Sequence, residues 1–225
     1  MQTFSLPKHP TTLIFDIDST LYTCPEYAHE QIDSQVRHFA ALRGMSADAA
    51  RALVADYRRK YAADHNGKRI SLGNLLTAFG ISIEESIAWR KTLFNPADYL
   101  HRDDKLIATL TALAGHYALA CVTNNPVQPA RATLAALGID ELFPHVIGLD
   151  TCGKSKPARE PLELALTQLH AHAADCISIG DRYDIDLALP LEMGMGGILV
   201  SGVEEVYTLP KLLASHTASC DTTKL

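Results

Sequence analysis

Leu13-Ile14-Phe15 is an apolar run that stops abruptly at two carboxylates, Asp16 and Asp18, one residue apart in the string Asp16-Ile17-Asp18-Ser19-Thr20. A short run of β-formers ending in a turn reads as a buried strand, and the carboxyl end of such a strand is where open α/β sheets place their chemistry. Carboxylates held side by side repel and lose solvation unless a cation neutralises them. The pair therefore points to a divalent-metal site with one oxygen left as a nucleophile. Taken alone, it equally describes a solvated strand end or a cap.

Three later segments put further groups at the ends of further predicted strands. Tyr117 to Val122 runs into Thr123-Asn124-Asn125 just before a helix beginning near Val127. A hydroxyl and backbone N–H groups at a helix start suit a phosphoryl oxygen, though Thr123 also fits an ordinary cap. Lys154-Ser155-Lys156-Pro157 follows a short strand, Val146 to Leu149, and precedes a helix near Pro161, so a lysine there could neutralise phosphate and nucleophile or be a solvated loop cation. Finally Cys176 to Gly180 delivers a second acidic cluster, Asp181, Asp184 and Asp186.

In this order the four segments resemble the haloacid dehalogenase superfamily, mostly aspartate-nucleophile phosphatases, over nearly the whole chain. The resemblance implies that Asp16 attacks phosphorus to form an aspartyl-phosphate and, with Asp18, Asp181 and Asp186, surrounds Mg2+, Asp18 contributing its backbone carbonyl. It implies that Asp18 protonates the leaving oxygen and later deprotonates water, and that Thr123 and Lys156 hold the phosphoryl oxygens, with Asn124 beside them. Lys156 rather than Lys154 takes the third role because Pro157 follows it. Asp186 matches the longer of the fourth motif's usual spacings and is favoured as an outer or water-mediated ligand, with Asp184 the alternative. An acid at position 18 separates phosphatases from dehalogenases, since an alkoxide needs a proton to leave and a halide does not.

The spacing between motifs predicts the domain plan. About 100 residues separate the first motif from the second, far more than one crossover helix requires. Tyr27 to Leu42, Ala47 to Tyr61, Leu72 to Phe79 and Glu84 to Leu93 each carry apolar residues at helical spacing. The expected fold is an α/β, doubly wound parallel sheet with an all-helical insert after its first strand: residues 1–22 and 100–225 form the core and 23–99 the insert. In family terms the insert is a C1-type cap. Strands are expected near 12–16, 117–123, 146–149, 176–180 and 197–200, in the order 5-4-1-2-3 by resemblance.

Within the insert, Tyr57-Arg58-Arg59-Lys60-Tyr61 and His65-Asn66-Gly67-Lys68-Arg69 concentrate basic and aromatic groups. With Leu21-Tyr22 after the first motif, this resembles the pyrimidine 5'-nucleotidase-like branch. Tyr22, Arg58 and Tyr61 are the substrate-contact candidates, against the reading of a charge run as a solvated helix face.

A net charge of minus 6 argues against a general nucleic-acid binder. The five Cys show no zinc or disulfide spacing. Met1 to Pro10 is polar without an apolar export core, and no stretch approaches a membrane span, so a cytoplasmic enzyme acting on a small phosphorylated metabolite is expected. A last helix is expected from Glu204 to Leu213, with Ala214 to Leu225 a polar tail. A phosphoglucomutase-like phosphotransferase would use the same acids; a non-enzymatic phosphoacceptor module is the remoter alternative.

Overall fold

The computed structural model describes residues 1–68 and 70–221. Six strands form one sheet: β1 (Gln2–Phe4), β2 (Thr12–Phe15), β3 (Ala118–Val122), β4 (His145–Ile147), β5 (Cys176–Gly180) and β6 (Gly196–Leu199), ordered β1-β6-β5-β2-β3-β4. The five expected strands thus stand in the expected order, with the strand leading to Asp16 between β3 and β5 in parallel register. Every residue of β2 and β5 is buried, as parallel strands covered on both faces require.

Two expectations need correction. The polar N-terminus contains a strand, β1, which pairs antiparallel with β6 through Gln2 and Leu199, Thr3 and Ile198, and Phe4 and Gly197. An edge strand with an exposed face carries no continuous apolar run, so its sequence looks like loop. The sheet is therefore mostly, not wholly, parallel.

The chain forms two compact units, Met1–Cys24 with Pro96–Leu225, and Pro25–Asn95. The division falls after Cys24 and after Asn95, inside the expected boundaries at 23 and 99. The second unit consists of α1 (Pro25–Leu42), α2 (Ala47–Asp64), α3 (Leu72–Ala78) and α4 (Ile83–Arg90). Serines start three of them. Ser46 Oγ accepts from the Ala49 N–H and Ser71 Oγ from Asn74, while Ser82 and Glu85 form a reciprocal capping box. Val36, Phe39, Leu75, Leu76 and Trp89 belong to this unit's own buried cluster.

In the sheet-bearing unit, α5 (Asp104–Ala114), α6 (Val127–Leu137), α7 (Leu149–Cys152) and α8 (Glu160–Leu169) follow. A π-helical turn, Tyr183–Leu187, leads into α9 (Ala188–Glu192), and the chain ends in α10 (Val203–Val206) and α11 (Leu209–Asp221). This is the second correction, since the expected tail is helical through Asp221. Leu213 is buried at its head, and further along His216 Nε2 lies 2.8 Å from the Pro7 carbonyl, a long-range anchor that periodicity alone does not reveal. The remaining four residues of that expected tail lie outside the described residues. Among the described residues, no helix is long and apolar enough to cross a membrane.

Candidate active site

Asp16 directly follows β2, and its N–H donates to the Ile179 carbonyl of β5 at 2.8 Å, so the strand ladder itself aims the carboxylate. Lys156, on the loop before α8, reaches it. Lys156 Nζ donates to Asp16 Oδ1 and to Asp186 Oδ1, both at 2.7 Å, and all three side chains are at most one-tenth exposed. Asp181 completes the cluster, with oxygens of Asp16, Asp181 and Asp186 all within 4.8 Å of one another.

Local sequence explains the seat of Asp186. A β-carbon at Gly180 would lie 2.4 Å from Asp186 Cβ, so only glycine at the end of β5 lets the turn fold back this closely. The Arg182 N–H donates to Asp186 Oδ2 and the Ser178 hydroxyl donates to the Asp186 carbonyl, fixing both ends of the residue. Asp184, two residues earlier, is exposed.

Electrostatically the cluster carries surplus negative charge. Burial pushes Asp16 up to about 7 against the pull of Lys156, with Asp186 and Asp18 adding to the rise. Asp181 is pushed up to about 6, by burial first and the charge of Asp186 second. Burial disfavours the Lys156 ammonium, yet the two carboxylates more than offset this and hold it above the ordinary lysine value. Three converging carboxylate oxygens, partly compensated by one lysine, are the hard-donor set that suits Mg2+.

Asp18 stands in a different environment. Its carboxylate is not in that cluster; Oδ1 accepts from the Tyr22 hydroxyl at 2.6 Å and Oδ2 from Asn125 Nδ2 at 2.8 Å. Tyr22, a substrate-contact candidate, is buried and its hydroxyl donates to Asp18. Asn124 bonds to the Lys156 backbone. Its Oδ1 accepts from the Lys156 N–H at 2.7 Å and its Nδ2 donates to the Lys156 carbonyl at 3.2 Å, so the side chain ties the loop after β3 to the lysine loop. Thr123 is buried beside them, its hydroxyl accepting from the Asn125 N–H. Asn125 escaped the sequence reading; the only signal was a second amide following Thr123-Asn124 at a strand end.

Arg58 and Tyr61 both lie on α2 of the helical unit. Arg58 is half-buried, and burial holds its guanidinium below the ordinary value. Tyr61 stacks on His65, ring centroids 3.8 Å apart and planes within 7°. Arg69, part of the same basic run, lies outside the described residues.

A sheet that gathers three carboxylates and a lysine at its carboxyl ends defines a doubly wound α/β protein with an acid-rich site. Residues 10–193 match the family described as haloacid dehalogenase-like hydrolase, and the chain belongs to that family. It is accordingly an enzyme of the hydrolase class, which sets aside the non-enzymatic module. A phosphoglycolate phosphatase of Colwellia psychrerythraea is 40% identical over 86 residues, a stretch spanning 38% of each chain. Pyrophosphatase PpaX of Listeria welshimeri is 24% identical over 196 residues, 84% of this chain and 82% of that one. In fold, the chain is similar to a HAD phosphatase from Thermococcus onnurineus, with a TM-score of 0.62 and 21% identity over 90% of this chain and 97% of the other.

Proposed function

We propose that the chain is a magnesium-dependent phosphatase that hydrolyses phosphate monoesters of small metabolites through an aspartyl-phosphate on Asp16. One observation carries this reading: the two acids of one short loop occupy opposite settings. Asp16 is bound to Lys156 inside the carboxylate cluster, whereas Asp18 is held by the neutral donors Tyr22 and Asn125. Carboxylates in different environments are what a nucleophile and an acid need in order to divide the work.

In the first step an Asp16 oxygen forms a bond to phosphorus as the bond to the ester oxygen breaks, and Asp18 passes its proton to that leaving oxygen. In the second, water attacks phosphorus, Asp18 takes its proton, and the Asp16–phosphorus bond breaks to release inorganic phosphate and restore both acids. Lys156 Nζ offsets charge on the phosphoryl oxygens, with the Thr123 hydroxyl beside it, and positioning plus cations supply most of the catalysis. Magnesium, held by Asp16, Asp181 and Asp186 together with the Asp18 carbonyl, would draw negative charge from the phosphoryl group.

The unit Pro25–Asn95 serves in this reading as the C1-type cap, with Arg58 and Tyr61 contacting the leaving group. The phosphatase names of the relatives support a small phosphorylated substrate. They direct a first screen to phosphoglycolate and inorganic pyrophosphate, and the basic, aromatic run on α2 directs it to nucleoside monophosphates. The test is turnover of this panel with magnesium and with chelator, followed by detection of phosphoenzyme. Magnesium-dependent release of inorganic phosphate with label on Asp16 is the expected result. Hydrolysis that proceeds undiminished in chelator, or without phosphoenzyme, would overturn it. Transfer to a sugar hydroxyl in place of water would turn the reading to a phosphoglucomutase-like transferase.

A further inference from the structure

We infer that Tyr22 and Asn125 are positioning residues that fix the orientation of the Asp18 carboxylate for proton transfer; this deepens the phosphatase reading and rests on it. Both oxygens of Asp18 are engaged by donors from two separate segments, one near in the chain and one distant. The Tyr22 hydroxyl lies four residues on in the same loop, and Asn125 Nδ2 comes from the loop after β3, at 2.6 and 2.8 Å. A carboxylate on a single short stem rotates about two torsions. One donor restrains it to a cone, and a second donor on the other oxygen fixes the plane.

The two donors are not equivalent. An amide NH2 can only donate, so Oδ2 is kept as an acceptor by Asn125. A hydroxyl can donate or accept, so Tyr22 tolerates Oδ1 with or without a proton. Each donor is itself held in place. Tyr22 is buried, and the Asn125 N–H donates to Thr123 Oγ1 at 3.1 Å while its carbonyl accepts from the Leu149 N–H at 2.9 Å. Gly148 makes room for that loop, since a β-carbon there would come within 2.6 Å of the Asn125 carbonyl oxygen. The Asn125 side chain is thus presented from a backbone fixed at both peptide groups, which is what a positioning group requires.

The test compares single-turnover phosphoenzyme formation from an alkyl phosphate and an activated aryl phosphate. It uses the wild type, Tyr22→Phe, Asn125→Ala, and each of these combined with Asp18→Asn, with circular dichroism and thermal unfolding recorded throughout. A misplaced acid costs most where the leaving group needs its proton. The single variants should lose roughly 10- to 100-fold in rate on the alkyl ester, with a clearly smaller loss on the aryl ester, and KM should move less than the rate. In the Asp18→Asn background neither substitution should lower the alkyl rate further, because both act through that carboxylate. Equal losses on the two esters, or full additivity with Asp18→Asn, would overturn the inference while leaving the phosphatase reading intact. A well-folded wild type inert to both esters would overturn both. Tyr22→Phe removes one oxygen only, so the comparison survives even where Asn125→Ala fails to fold.

Discussion

Each of the two units builds a charge cluster, and the two clusters differ in exposure and in how their central group is paired. In the sheet-bearing unit one cation, Lys156, sits between two carboxylates, Asp16 and Asp186, with side chains only 5%, 10% and 3% exposed. In the helical unit one carboxylate, Asp33 on α1, sits between two cations. Arg51 donates to it from Nε and Nη2 at 2.7 and 2.8 Å, Arg37 donates from Nη1, and both arginines are more than 40% exposed. The consequences are opposite. Asp16 is pushed up to about 7, whereas the hydrogen bonds of Arg51 and Arg37 hold Asp33 well below the usual carboxylate range. A buried cluster short of positive charge is costly unless something further binds, while Asp33 has both oxygens met by arginines whose remaining donors reach Glu30 and Asp48. The difference separates a group of charges arranged for a ligand from one arranged to hold two helices together.

The largest effect that could break this contrast is at the proposed nucleophile. Asp16→Asn keeps the shape but removes the attacking charge, and should lower phosphate-ester turnover by about 10⁴-fold or more while the thermal transition stays cooperative. Substantial turnover in the folded variant would reassign the cluster to a structural role like that of Asp33. Next, Lys156→Met removes the cation bonded to both acids and should destabilise the fold by about 3–5 kcal/mol, since the carboxylates lose that partner in a buried setting. Magnesium should return part of that loss and should raise the unfolding midpoint of the wild type too, by about 2.7 kcal/mol of stability at a hundredfold excess over Kd. A midpoint insensitive to magnesium would remove the metal site from the proposal.

The helical unit is probed by packing rather than charge. Leu75 is fully buried in its cluster, and Leu75→Ala should cost about 2–5 kcal/mol through lost burial and the cavity left behind. Urea unfolding checks it; a cost well under 1 kcal/mol would mean that the site collapses freely. The smallest effect belongs to Asp33. Its carboxyl titrates lower in the folded chain than the ordinary 3.8, so its contribution is complete above that value and is lost as pH falls below it. Asp33→Asn should therefore lower stability slightly at neutral pH and flatten the loss on acidification. An unchanged acid limb would show that the arginine pair contributes nothing measurable.

Much of this was legible in the linear sequence because its signals are local. The apolar strands ending at Asp16, Thr123 and Gly180 stand where expected. So do the four helices of the insert, whose periodicity and serine caps are encoded within a few residues. The seat of Asp186 is local as well, because Gly180 and the turn it permits lie in the same segment. What tertiary structure decided was every property that depends on partners distant in the chain. Strand β1 exists through its pairing with β6, nearly two hundred residues later. Asn124 turns to the Lys156 backbone, 32 positions away, and Asn125 to Asp18, 107 positions away. Side-chain type and spacing say which groups can reach a strand end, but which oxygen meets which donor is set by how the loops after β2, β3 and β4 crowd together once the parallel sheet has formed. A single side chain can therefore be recognised as part of the site from its sequence and still have its task, contacting substrate or holding a neighbour, assigned only by the fold.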